Sequence, residues 1–230
     1  MAAPAKAAEP AGEPEPGAVA AEPLPAEAEP SAKGEPAGGV ESSKPEQPEV
    51  EWHRRADFMV GLHVGVGLGA ALGYPNDALK IDRPEFETNT GASGGGAGTF
   101  WIGGALADWL SFGVSISGAR ILGGGYQTSS GSVGFHTEVF PAFSLGELGE
   151  DFGAYVDAGI ALLQTVPTGQ DSPVIESGGA ARFGLGGFYE GLRVWQLSMG
   201  PYVGADLVWS PTCVRPIAVV GWRTALYSGP

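Results

Sequence analysis

From about Phe58 to Tyr227 the chain alternates large apolar side chains with small or polar ones, at a period of two. The stretch GLHVGVGLGAALG, residues 61–73, shows it plainly. Leu62, Val64, Val66, Leu68 and Leu72 hold the even positions, while Gly61, His63, Gly65, Gly67 and Gly69 hold the odd ones. Alternation of this kind marks a β-strand with two unlike faces, and no sustained 3.6-residue period competes with it. Eight such segments are predicted, at about 58–72, 98–106, 110–121, 132–143, 152–163, 178–189, 196–209 and 216–227. The links between them read as alternately long and short, which predicts antiparallel neighbours and two unlike rims.

The faces decide which way a barrel built from these strands is turned. A soluble barrel puts its apolar residues inside and needs charge or hydrogen-bonding groups outside. A membrane barrel reverses this. Strand three sets Leu110, Phe112, Val114 and Ile116 against Ser111, Gly113, Ser115 and Ser117, and strand four sets Val133, Phe135, Val139 and Phe143 against Gly134, His136, Glu138 and Ala142. Most strand charges share the glycine face, and the apolar faces are nearly free of them. Small residues on a face make a poor water surface but a good lining for a narrow interior. The second strand, GTFWIGGAL, is ambiguous in phase. Arg120 falls in the apolar phase near a strand end, where it can snorkel. Trp109 and Trp195 beside short links, with Trp101 and Trp209 beside long ones, predict two interfacial aromatic girdles.

Composition changes the picture in three ways. The net charge of −14 gives nucleic-acid binding no electrostatic footing. One cysteine, Cys213, excludes an intramolecular disulfide framework and a cysteine zinc cluster. Residues 1–51 differ in kind from the rest: the first fifty hold ten Pro and ten Glu against three Lys, and no aromatic precedes Trp52. Such a segment cannot bury enough apolar area to offset its ordering entropy, so 1–51 read as a disordered linker and 52–230 as the barrel domain. The start, MAAPAKAAEPAGEPEP, shows no apolar core of a secretory signal.

Strand number, face chemistry and the closing stretch VVGWRTALY together resemble the eight-stranded outer-membrane β-barrel superfamily, with small barrels of the OmpA and OmpX type as architectural relatives. The resemblance covers about residues 52–230. It implies an all-β, up-and-down, antiparallel transmembrane barrel in a bacterial outer membrane, with both barrel ends and the Pro-rich linker on the periplasmic side. It also implies contact with outer-membrane lipid and lipopolysaccharide, insertion by the barrel assembly machinery and a monomeric state, with no cofactor or metal.

The projected interior polar set is His63, His136, Glu138, Asp157, Arg182, Asp206 and Arg223. Buried charges need partners, so a structural network is expected in which Glu138, Asp157 and Asp206 neutralise Arg182 and Arg223. A narrow polar pathway is the alternative use of the same residues. His136 and Glu138 share a face, as an acyl-transfer base and its orienting acid would, but no serine stands out as their nucleophile. The Gly94-Gly95-Gly96 and Gly123-Gly124-Gly125 runs lack the following Lys-Ser/Thr of a phosphate loop. His63, alone on its face, reads as a packed lumen residue rather than a metal ligand. The leading expectation is a non-enzymatic barrel with a structural or surface-interaction role. A small-solute channel follows, and a soluble ligand-binding barrel comes third.

Overall fold

The computed structural model describes Arg55 and residues 57–228. The expected linker, residues 1–51, lies outside the described residues. Eight long strands run β1 Phe58–Gly69, β2 Ser93–Ala107, β3 Leu110–Gly123, β4 Tyr126–Val139, β5 Phe152–Pro167, β6 Ile175–Tyr189, β7 Leu197–Ser210 and β8 Cys213–Tyr227. Each pairs antiparallel with the next, and β8 pairs back onto β1, so the sheet closes. Closure removes every long edge. Pairs such as His63–Arg223 and Gly61–Trp101 fix the register on either side of β1.

All eight predicted segments exist as strands, but several boundaries and the loop pattern differ. The expected long link after β3 is a two-residue hairpin. Gly124 and Gly125 both take positive φ (60° and 80°), the geometry that a tight turn matched to strand twist demands and that glycine supplies. The stretch read as loop, 126–131, is therefore strand. Conversely, 140–143 leave the sheet, and a 3₁₀ turn Phe143–Leu145 and one helical turn Glu147–Glu150 lie in the link to β5. At the rim where β1 starts and β8 ends, the links are residues 108–109, 140–151 and 190–196; at the opposite rim they are 70–92, 124–125, 168–174 and 211–212. Length does not segregate by rim, so the long–short alternation is corrected.

The exterior is apolar. On β1, Phe58, Leu62, Val64, Val66 and Leu68 are exposed, whereas Met59, Gly61 and His63 are buried. The same split runs through Phe112, Val114 and Ile116 on β3, Val133 and Phe135 on β4, and Ile160 and Leu162 on β5. From Phe58 to Leu68 the strand rises about 34 Å along its length, or about 26 Å after a tilt of about 40°. That matches the band of about 25 Å expected of a membrane barrel. A bulge between β5 and β6 shifts register between Ala161 and Leu163, which keeps both Ala180 and Ser177 facing in.

One girdle residue is corrected. Trp101 is 1% exposed and points into the lumen. Glycines at both phases of β2, such as Gly94, Gly95, Gly103 and Gly104, hide the contrast between its faces. Trp109, Trp195 and Trp209 are exposed. Trp109 and Trp195 belong to the terminal rim and Trp209 to the opposite end of β7.

Gly61 shows what the small face is for. A Cβ placed there would stand 1.9 Å from Trp101 Cζ2. Gly61→Ala therefore forces the indole out of a packed interior, an overpacking cost of about 1–3 kcal/mol. The expected outcome is a lower urea midpoint for refolding into detergent micelles, while Val60→Ala on the outer face shifts it less.

Candidate functional site

Side chains of the inner faces meet in one alternating chain of charges along the lumen. At the terminal rim, Arg55 Nη2 lies 2.7 Å from Glu190 Oε1. Glu190 Oε2 accepts from Arg223 Nη1 at 2.5 Å and from the Tyr227 hydroxyl at 2.7 Å. Arg223 Nη2 then reaches both oxygens of Glu138, at 2.8 and 2.9 Å. Glu138 also accepts from the Ser111 hydroxyl at 3.3 Å and faces His136 Nε2 at 3.1 Å. His136 Nδ1 lies 2.7 Å from Asp157 Oδ1, and Asp157 Oδ2 accepts from Arg182 Nη2 at 3.0 Å. Arg182 Nε donates to Asp206, whose other oxygen accepts from Arg215 Nη2 at 2.6 Å. Arg215 Nη2 also donates to Ser130 Oγ at 3.1 Å.

Sequence order does not reveal this chain; strand register does. Asp157 stands opposite His136 across β5–β4, and Glu138 stands opposite Ser111 across β4–β3. Arg223 crosses the lumen from β8 to reach Glu138 on β4. Both nitrogens of His136 face carboxylate oxygens. Only an imidazolium donates from both, so the geometry is that of a cation held between two anions. With neither nitrogen open to a hydroxyl, His136 is not placed as a general base.

Of the seven residues projected inward, the structure joins His136, Glu138, Asp157, Arg182, Asp206 and Arg223 through ion pairs. His63 enters differently. Its ring centroid lies 4.5 Å from Trp101, 4.8 Å from Tyr155 and 4.7 Å from Tyr202, and its Nε2 has no partner. Sequence reasoning missed Arg55, Glu190, Arg215 and Tyr227. Arg215 and Tyr227 share the odd phase of Arg223, so carrying the predicted segment one residue further back, from 216 to 215, and reading its last residue would have found them. Glu190 continues the inward phase of Arg182, Gly184 and Gly186 one residue past the end of β6, so the strand pattern does signal it, whereas Arg55 precedes β1 and has no such signal.

Side chains pack the lumen near both rims. Near the terminal rim, Arg55 lies over the Phe140 ring at 3.4 Å and Arg223 over Phe188 at 4.0 Å. Toward the opposite rim, Ala71, Leu163, Ile175, Val208 and Cys213 form an apolar plug. Between them a cavity of about 40 Å³ adjoins Arg182, Asp206 and Arg215. Among the described residues, no three His, Cys, Asp or Glu side chains converge as metal ligands.

No protein-family model matches the chain, and no curated protein matches it either. Among solved structures, the chain is similar to Neisserial surface protein A at 13% identity, with 74% of this chain and 96% of that one covered and a TM-score of 0.47. It is similar to Ail, the attachment invasion locus protein of Yersinia pestis, at 9% identity, covering 72% and 98%, with a TM-score of 0.41. It is also similar to the outer membrane protein OprG from Pseudomonas aeruginosa, at 10% identity, covering 76% and 98%, with a TM-score of 0.38.

The ion chain gives a direct energetic expectation. Arg223→Met leaves Glu138 and Glu190 short of a buried counter-charge, which costs about 3–5 kcal/mol. The double replacement Arg223→Met with Glu138→Leu removes an anion along with the cation and recovers part of that loss. Urea titration of the folded gel band for the three proteins measures both effects.

Proposed function

We propose that this chain is an integral outer-membrane barrel whose lumen is a structural core and whose rim opposite the termini serves surface contact. The observation that carries the reading is the inverted packing: exposed Val, Leu, Ile and Phe outside, and ion pairs inside. A soluble ligand-binding barrel has these faces the other way round. Outer-membrane lipid and lipopolysaccharide are then the partners of the apolar band, and the barrel assembly machinery is the agent that reads β8.

Two further features support the surface role. Toward the opposite rim, the outer faces of β2–β4 turn mostly from apolar to small and polar, with Gly96, Gly98, Gly118, Ser129 and Gly131, exposed Leu122 being the exception. Arg120 there donates to Gln127 Oε1 at 2.5 Å on the exposed face. A wall of this composition gains nothing from lipid and stands beyond the band into water. The plugged lumen argues against the channel reading, and the engagement of His136 by two carboxylates argues against an acyl-transfer enzyme.

Fractionation of expressing cells places the protein in the outer membrane, with a gel mobility that shifts on heating. Purified barrel in planar bilayers gives no conductance steps above baseline. Recovery in the soluble fraction without a heat shift overturns the membrane reading, and regular unitary steps overturn the closed lumen.

A further inference from the structure

The apolar exterior is not even. Across one row of the sheet, Leu68 on β1 stands beside Ala218 on β8, Ala218 beside Ala205 on β7, and Ala205 beside Leu185 on β6. All four are exposed on the outer face. Neighbouring strands lie about 4.8 Å apart, so the two leucines wall a trough about 14 Å across whose floor is a pair of methyl groups. On the next outward row toward the terminal rim, exposed Val203 and Val220 stand opposite each other and close the floor. Toward the opposite rim the trough runs past Phe183 and Pro216 to Leu72, Asn89 and Gly91, a groove of about 800 Å³ in all. From Ala218 to Val214, which pairs with Leu72, the distance along β8 is about 13 Å, or about 10 Å after a tilt of about 40°. That fits within one leaflet's share, about 15 Å, of a bilayer's hydrocarbon core.

These surroundings fix the chemistry of an occupant. Inside a bilayer, burial in the groove gains nothing from the hydrophobic effect, because lipid tails are as apolar as leucine. What remains is packing: an unfilled trough forfeits dispersion contacts along its floor and both walls. A single flexible hydrocarbon chain can follow the trough and meet all three. The wall of a second barrel is convex and would rest on Leu68 and Leu185 without reaching the alanines. At the loop end, Gly91 N–H donates to Asn89 Oδ1 at 2.9 Å. That bond engages the oxygen of the exposed Asn89 side chain, and its two Nδ2–H donors remain for an acceptor such as a carbonyl.

Taking the rim opposite the termini as external, as the outer-membrane reading has it, we propose that this groove seats one fatty acyl chain of a lipid A molecule, with the carbonyl that links the chain to its sugar at Asn89. The site occupies one place on the circumference. The walls of β6, β7, β8 and β1 therefore hold an ordered lipid, while the rest of the band meets interchangeable chains.

Native mass spectrometry tests the site. The full-length chain is folded into bilayer discs of phosphatidylcholine containing lipid A and released by mild activation. The unaltered chain retains one lipid A. Ala205→Phe combined with Ala218→Phe fills the trough and loses that adduct, whereas Val133→Phe, on the outer face of β4, keeps it. Folding of each protein is checked by its heat-shifted gel band. If the double variant does not fold, Asn89→Leu, in the loop, takes its place and also loses the adduct. A folded, unaltered chain that retains no lipid, or phosphatidylcholine in place of lipid A, overturns the site. An unchanged adduct on the groove variants, or its equal loss from Val133→Phe, does the same. Each of these results leaves the membrane reading standing, because the barrel is still folded in the bilayer. Failure to enter the discs at all overturns the membrane reading and the site with it.

Discussion

Charged groups taken out of water into a lumen barely wider than its own side chains must meet opposite charges at once. In this barrel they do so in series. From Arg55 through Glu190, Arg223, Glu138, His136, Asp157, Arg182 and Asp206 to Arg215, each internal member touches an opposite charge on both sides. The desolvation penalty of several kcal/mol per ion is offset only by such multiple, close contacts. The residues come from β4, β5, β6, β7 and β8, with Arg55 and Glu190 from the flanking segments, so the chain ties most of the circumference together across its centre. A shift of one residue in any of these strands would turn its charges outward into the apolar band. The ion chain thus fixes register as well as filling space.

The small residues make that interior possible, and at several positions they leave room for rings. A Cβ on Gly61 would strike Trp101, one on Gly204 the Tyr155 hydroxyl, and one on Gly153 the Phe188 ring. The aromatic rings in turn flank the ions: His63 packs among Trp101, Tyr155 and Tyr202, while Phe188 lies under the Arg223 guanidinium. Glycine opposite ring, ring beside ion and apolar side chain outside are three consequences of one two-residue period.

That period made most of the fold legible. Faces could be assigned on β1 and β3 because each alternates a large residue with a small one over its whole apolar stretch. It failed where the contrast disappears. On β2, glycines in both phases left Trp101 looking like an interfacial residue, whereas its neighbours across the sheet place it against His63 and His136. The Gly123–Gly125 run looked like a loop, but only two of its residues turn and the sheet resumes at Tyr126. The ion chain was half legible. Residues in strand phase could be placed inside, but which carboxylate meets which arginine depends on register and on reach across the lumen. Glu190 is in phase with Arg182, but its pairing with Arg55, which lies ahead of β1 and outside any strand pattern, is visible only in the fold.

Tryptophan fluorescence in lipid tests the central claim most directly. Trp222 lies on the outer face of β8 opposite Val64, while Trp101 lies inside. Two variants, each retaining one of these tryptophans with the others replaced by Phe, are folded into vesicles whose acyl chains carry bromine. The account predicts strong quenching of Trp222 and little of Trp101. Strong quenching of Trp101 with Trp222 spared would mean that the faces are reversed, and would contradict it.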